Sequence, residues 1–305
     1  MVITDSQIHL WEAHRPDRPW PPEEVGRPSF VAAPGARPHR AEPLGAEEMV
    51  GMMNAVGVAR CVIVPPSPAG DSNDTALEAV ARYPQRYGIM GRFDPSEPGA
   101  ADRLERWKTQ PGMLGIRMTF HKPQWAPWLD GHAIDWFWAA CERLRIPVMM
   151  LVPGRMDAVG AIARRYPGLR IVLDHMGRAS GRFDDAAFAD LDRMLDLAAL
   201  PNVSVKASAA PCYSTESFPF AGLRVPLQRI FDAFGPRRTM WGSDVSRLPC
   251  TYAQCLDHFL YTLDFLRGDD LEWVMGKAIG EVLDWPEPVL PIASLVVPQV
   301  GVRAG

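Results

Sequence analysis

Asp5-Ser6-Gln7-Ile8-His9-Leu10-Trp11 is a short apolar/polar alternation that closes on a histidine. Two runs far downstream have the same form. They are Arg170-Ile171-Val172-Leu173-Asp174-His175 and Thr239-Met240-Trp241-Gly242-Ser243-Asp244, each apolar until it ends in side chains that can move protons. Parallel strands that each deliver a polar group from the C-terminal end build the active site of a (β/α)8 barrel. Side chains alternate along a strand, so Gln7 and His9 share a face and both point into such a barrel near its mouth.

The rest of the chain continues that pattern. Strands are expected over 2–9, 59–65, 86–92, 113–119, 147–152, 169–174, 202–208 and 238–243. Helical periods near 45–56, 72–83, 98–108, 132–144, 155–166, 184–199, 224–234 and 251–266 alternate with them, and Gly, Pro, Asn or Asp bounds each run. Ile146-Pro147-Val148-Met149-Met150-Leu151-Val152 is almost wholly apolar, as a strand buried on both faces requires. Eight units close a barrel, and six or fewer would leave an open α/β sheet. A single domain is expected over 1–285. Two segments break the pattern of alternation. Residues 12–44 hold eight prolines and follow the first strand, so this loop lies on the active-site face, where Trp11, Trp20, His14 and His39 could shape a pocket. The Pro-rich segment 286–305 is expected to be a loose tail or, through Ile292 to Val297, a strap along a second copy in a homo-oligomer.

Composition narrows the function. The 305 residues are 47% hydrophobic, enough for one large core, and the net charge of −4 comes with dispersed basic residues. A nucleic-acid surface would show a basic stripe. No apolar run approaches the ~20 residues that span a bilayer. The start lacks a basic segment followed by an apolar one, so a cytoplasmic location is expected. The five cysteines form no C-x-x-C pair and are expected to be reduced thiols. The partner this leaves is a small molecule.

The chemistry-bearing candidates lie at strand ends. His9, His175 and Asp244 end the first, sixth and eighth strands. A buried carboxylate such as Asp244 is costly unless an imidazole, an arginine, a metal or a substrate compensates it. Arg117, in Gly115-Ile116-Arg117-Met118-Thr119, should meet a carboxylate, either the protein's own or the substrate's, with Asp94 the nearest by strand order. Arg92 reads as structural. Arg247 follows Asp244 and can reach the mouth; Lys206 and Ser208 share a face of strand seven; Tyr213 is a candidate donor in the following loop; His121 follows strand four. His132 and His258 read as helix-surface residues.

In order along the chain, Asp5-Ser6-Gln7-Ile8-His9-Leu10-Trp11, Gly115-Ile116-Arg117, Leu173-Asp174-His175-Met176-Gly177, Val205-Lys206-Ala207-Ser208, Trp241-Gly242-Ser243-Asp244 and Gly276-Lys277-Ala278-Ile279-Gly280-Glu281-Val282-Leu283 resemble the amidohydrolase-2 family, over about 2–285. Within it the chain is most similar to the lactonase branch of pyrone-dicarboxylate and sugar lactonases. The resemblance implies a distorted (β/α)8 TIM barrel with its active site at His9, His175 and Asp244. The family's first strand usually reads His-x-His or Glu-x-His, where this chain has Gln7-Ile8-His9. Many relatives place a metal-binding His at the end of strand five, where this chain has Val152. A zinc or manganese ion would be left with His9, Asp244 and the weak amide oxygen of Gln7, fewer good ligands than a catalytic zinc site wants. The expectation is therefore a metal-independent hydrolase that opens a lactone or similar cyclic ester. Asp244 would activate water, His9 and His175 would stabilise the oxyanion, and Arg117 with Lys206 or Arg247 would hold an anionic or carbonyl-rich substrate. Gln7, Trp11, His121, Ser208 and Tyr213 are the other expected substrate contacts. The alternatives are a metal-dependent nonoxidative decarboxylase of an aromatic acid and a non-catalytic barrel that binds a small ligand.

Overall fold

The apolar runs become eight parallel strands in sequential order around one barrel. They are β1 (Thr4–Ile8), β2 (Arg60–Ile63), β3 (Tyr87–Arg92), β4 (Met113–Thr119), β5 (Val148–Leu151), β6 (Ile171–Leu173), β7 (Val203–Ser208) and β8 (Thr239–Gly242). This computed structural model describes residues 1–22, 39–66, 70–120 and 125–288. Every expected strand lies within a few residues of an observed one. The alternation that predicted them is the physical cause: each strand is covered by helices outside and by other strands' side chains inside. Val62, Val64, Met90, Met149, Val172 and Met240 fill the lower interior, and Ala278, Ile279 and Leu283 of the closing helical segment plug it from below. Each fully buried side chain of this size contributes roughly 1.5–3 kcal/mol.

Two expected helices are broken. The stretch 184–199 splits into Asp184–Phe188, Leu191–Leu195 and a tight turn at Asp196–Ala199. The stretch 251–266 is helical over Tyr252–Asp257 and then widens into a π turn over His258–Thr262. There Thr262 Oγ1 donates to the His258 carbonyl at 2.8 Å, taking an acceptor from the helix ladder.

The seam between β8 and β1 is unlike the other seven. Each other adjacent pair forms a parallel ladder, with a register shift between Asp5 and Ile8 in the first and between Ile89 and Met90 in the third. Here one backbone bond, Asp244 N–H to the Gln7 carbonyl at 2.8 Å, is supplemented by the buried carboxylate of Asp5. Asp5 Oδ1 accepts from Gln7 N (3.0 Å) and Ser243 N (2.8 Å), while Oδ2 accepts from Tyr252 Oη (3.0 Å) and from the Ser243 hydroxyl. A side chain thus ties the strand that carries His9 to the strand that carries Asp244. No helix among the described residues is long and apolar enough to cross a membrane.

Candidate active site

The mouth of the barrel gathers around Asp244, which is fully buried. His9 Nε2 stands 3.3 Å from its Oδ1; His175 Nε2 at 3.7 Å and Arg247 Nε at 3.3 Å face Oδ2. Neither oxygen receives a hydrogen bond of good geometry from a described residue. Burial alone would raise the Asp244 pKa. His9, Arg247 and the other nearby bases outweigh it and hold the carboxyl well below the ordinary range. The backbone is strained at the same points: His175 (φ 50°, ψ 40°) and Asp244 (φ 54°, ψ 47°) leave their strands in the left-handed region that L-residues avoid.

For His9 the partner assigns the proton; for His175 the facing Asp244 carboxylate does. His9 Nδ1 lies 2.7 Å from the Val64 carbonyl, which can only accept. Nδ1 therefore carries the proton, and Nε2 turns a lone pair toward Asp244. The Gln7 amide approaches that nitrogen at 3.3 Å. His175 Nδ1 lies 2.9 Å from Ser208 Oγ, which also accepts from the His175 backbone N–H. With the Ser208 hydroxyl proton on Nδ1, the His175 ring proton sits on Nε2 and faces the Asp244 carboxylate, the electrostatically favoured arrangement. Burial pulls the His175 pKa down to about 3 and lowers that of His9, so both rings are neutral near pH 7.

Beneath this layer lies a charged floor. Asp174 pairs with Lys206 Nζ at 2.7 Å and with Arg117 Nε at 3.1 Å. Burial raises its pKa, but the two cations outweigh burial and bring it to about 2. Lys206 Nζ is sealed in; it also donates to the Ser6 carbonyl at 3.2 Å and to Gln7 Oε1, and it touches Met149 Sδ.

The Pro-rich loop after β1 reaches into the site. Arg40 N–H donates to the Ser246 carbonyl at 2.7 Å, and His39 Nδ1 lies 2.7 Å from Ser246 Oγ. The His39 ring meets His9 edge to face at 5.1 Å. One ligand atom each from His9, His39 and Asp244 lie within 4.8 Å of one another. Two imidazoles and one carboxylate make up a donor set that suits a divalent ion, so the residues fit the metal that the family resemblance allows.

Of the expected site residues, His9, His175, Asp244 and Arg247 converge, and Gln7 borders them. Tyr213 is buried beside Arg247; burial pushes its pKa up to about 12. Several expectations need correcting. Lys206 cannot hold a substrate, because all its contacts lie inside the protein. Ser208 orients His175 instead of facing a ligand. Gln7 offers its amide oxygen to Lys206, so it is not presented as a metal ligand. Trp11 is buried and packs toward His39. The carboxylate that meets Arg117 is Asp174, two strands away; Asp94 is engaged locally by Ser96. His258 is buried against Phe220 and Phe259 rather than on a helix surface. His132 is exposed as expected, and Arg92 is tied to Asp71 and Asn73. His121 lies outside the described residues, as does nearly all of the 286–305 segment. The site roles of Asp174, Ser246 and the Asp5 seam went unread. Asp174 had one available signal: a strand-end acid beside His175, in a barrel that carries Arg117 and Lys206 inward.

Comparison with known proteins matches residues 4–285 to the family described as amidohydrolase. The chain is 30% identical over 275 residues to an L-fucono-1,5-lactonase of Burkholderia ambifaria, covering 84% of this chain and 88% of that one. It is 29% identical over 200 residues to a 4-sulfomuconolactone hydrolase of Hydrogenophaga intermedia, covering 65% and 64%. Among solved structures, a zinc-bound amidohydrolase from Burkholderia multivorans superposes with a TM-score of 0.77 at 20% identity, covering 94% of this chain and all of that one.

Proposed function

The chain belongs to the amidohydrolase family, and on that premise we propose that it opens a lactone, or a similarly activated cyclic ester, with water. The observation that carries this reading is Asp244: a buried carboxylate with both oxygens unbonded, flanked by a histidine that accepts and a histidine that donates. The 3.3 Å between His9 Nε2 and Asp244 Oδ1 suits one water held by both. Asp244 takes a proton from that water as its oxygen bonds to the lactone carbonyl carbon. His9 accepts the water's other hydrogen bond, so the oxyanion role expected for it passes to the donors opposite. His175 Nε2–H, with the Arg247 guanidinium, stabilises the tetrahedral oxyanion. Collapse breaks the ring C–O bond, and the proton on Asp244 passes to the leaving alkoxide. The product is a hydroxy acid. A divalent ion held by His9, His39 and Asp244 would supply Lewis-acid polarisation and a more acidic water; each step above is assigned to the chain's own groups.

The similarity to the fuconolactonase and the sulfomuconolactone hydrolase supports a lactone substrate. Arg117 engages Asp174 only through Nε, no described residue bonds its two terminal nitrogens, and a small cleft lined by Arg117, Thr119, Trp125 and Trp128 opens before it. A substrate carboxylate, sulfonate or carbonyl suits that position. The test is turnover of a panel of sugar-acid and carboxylated γ- and δ-lactones, followed by acid release in a pH-stat. At least one should be hydrolysed to its hydroxy acid. Release of carbon dioxide from aromatic acids with no lactone turnover would make the protein a decarboxylase. Saturable binding with no turnover of either kind would make it a binding barrel.

A further inference from the structure

We infer that His39, delivered by the loop after β1, completes a three-ligand divalent-cation site with His9 and Asp244. The sequence pointed the other way, because the strand positions that could have supplied a third ligand are Gln7 and Val152. In space that place is filled from the loop. Three observations converge. The ligand atoms of the three side chains lie within 4.8 Å of one another. The His9 Nε2 to Asp244 Oδ1 separation of 3.3 Å already matches the edge of a tetrahedron with metal–ligand bonds of about 2.0–2.2 Å. No other pair has further to close than about 1.5 Å by the same geometry.

The second observation is the outer partners. A ligating imidazole characteristically gives its other N–H to an oxygen, which fixes ring and tautomer. His9 does this: its Nδ1 is held by the Val64 carbonyl at 2.7 Å, which assigns Nε2 as its ligand atom. His39 Nδ1 lies 2.7 Å from Ser246 Oγ, a hydroxyl that accepts from it in the tautomer that leaves Nε2 for a metal. The third is Asp244 itself, buried, with neither oxygen in a hydrogen bond of good geometry. A cation drawn between the carboxylate and the two imidazoles would compensate that buried charge, and a substrate or water oxygen could take a fourth position.

The site does not depend on the hydrolytic reading, and its test uses no substrate. The full chain, stripped with a chelator and dialysed, is titrated with cobalt(II) and followed by visible absorption; zinc affinity is then measured by competition with a chromophoric chelator. Wild type should bind one equivalent and show the intense absorption of four-coordinate cobalt. His39→Ala should weaken zinc binding on the order of 100-fold or more and change the cobalt spectrum. Ser246→Ala, which removes only the outer partner, should weaken it roughly 10–100-fold. His132→Ala, on the surface, should bind as wild type does. The inference is overturned if wild type takes up no ion stoichiometrically, or if folded His39→Ala binds zinc as tightly as wild type with an unchanged cobalt spectrum. Lactone turnover by a protein that binds no metal would leave the proposed function standing and remove this site.

Discussion

Replacing Asp5 by Asn tests how the barrel is closed. The wild-type carboxylate accepts four hydrogen bonds, from Gln7 N, Ser243 N, Ser243 Oγ and Tyr252 Oη. Asn keeps an oxygen for the two backbone donors. It presents an amide NH2 to the two hydroxyls, which must turn from donating to accepting. A protonated wild-type carboxyl already turns one of these hydroxyls, so at about 0.5–1.5 kcal/mol for the one further bond rearranged the variant should lose on the order of 1 kcal/mol in that state. The pH dependence is the sharper observable. Burial, partly offset by these donors, raises the Asp5 pKa from 3.8 to about 6. A group with a raised folded pKa favours the native state fully below its unfolded value, and that contribution is lost as pH rises through the folded value. A rise from 3.8 to about 6 corresponds to about 3 kcal/mol at 1.36 kcal/mol per pH unit. Asn cannot titrate, and the other groups cancel between the two proteins. The stability advantage of wild type over Asp5→Asn should therefore shrink by about that amount between pH 4 and pH 7, with most of the change below pH 6. Urea unfolding at a series of pH values reads this directly. A difference that is flat with pH, or that grows as pH rises, would refute the reasoning. It would mean that the four donors, not burial, govern the carboxyl.

Three further outcomes follow from the site and the packing. Asp244→Asn keeps the shape and removes the proton acceptor, so lactone turnover should fall on the order of 10²–10⁴-fold with little change in the urea midpoint; a folded variant that keeps most of its activity would make Asp244 structural. Arg117→Lys loses the fork that holds Asp174 through Nε while presenting its other nitrogens outward, so KM should rise more than kcat falls; an unchanged KM would place the substrate elsewhere. Gly276→Ala sets a Cβ 2.0 Å from the Val2 carbonyl oxygen, where the closing helical segment crosses the foot of β1, and should cost stability measurable as a lower Tm; a variant as stable as wild type would show that this contact relaxes freely.

The parts of this molecule legible in the sequence are those set by local period. Val148–Leu151 is apolar at every position because both its faces are covered, and that alone marks a strand. His9, His175 and Asp244 could be picked out because a barrel puts the last residue of each strand at one mouth. Parity also told correctly that Lys206 points inward. It could not tell whether the interior there is cavity or protein, and Asp174, Gln7 and Ser6 fill it. Arg117 found its acid two strands away, a relation that closure of the sheet creates and that no sequence spacing carries. His39 lies 30 residues beyond His9, in a loop without periodicity, so nothing local fixes its direction; Ser246, more than 200 residues further on, does. His258 is buried because its ring packs against Phe220 and Phe259, and the Phe220 contact, 38 residues back, is one that helical spacing does not carry.

The left-handed strand ends have a bearing on what selection for stability alone would do here. His175, Met176, Ala209 and Asp244 all hold positive φ angles, of 50°, 56°, 55° and 54°. Each is a place where glycine would relieve roughly 1 kcal/mol of backbone strain. For Met176 and Ala209 that exchange would remove only packing atoms. For His175 and Asp244 it would erase the side chains to which the proposed reaction assigns the proton donor and the proton acceptor. A screen of random variants scored by thermal resistance should therefore enrich glycine at 175 and 244, and the most heat-tolerant clones should be the ones that no longer turn over substrate. At these two positions the folding landscape and the proposed reaction make opposite demands on a single side chain.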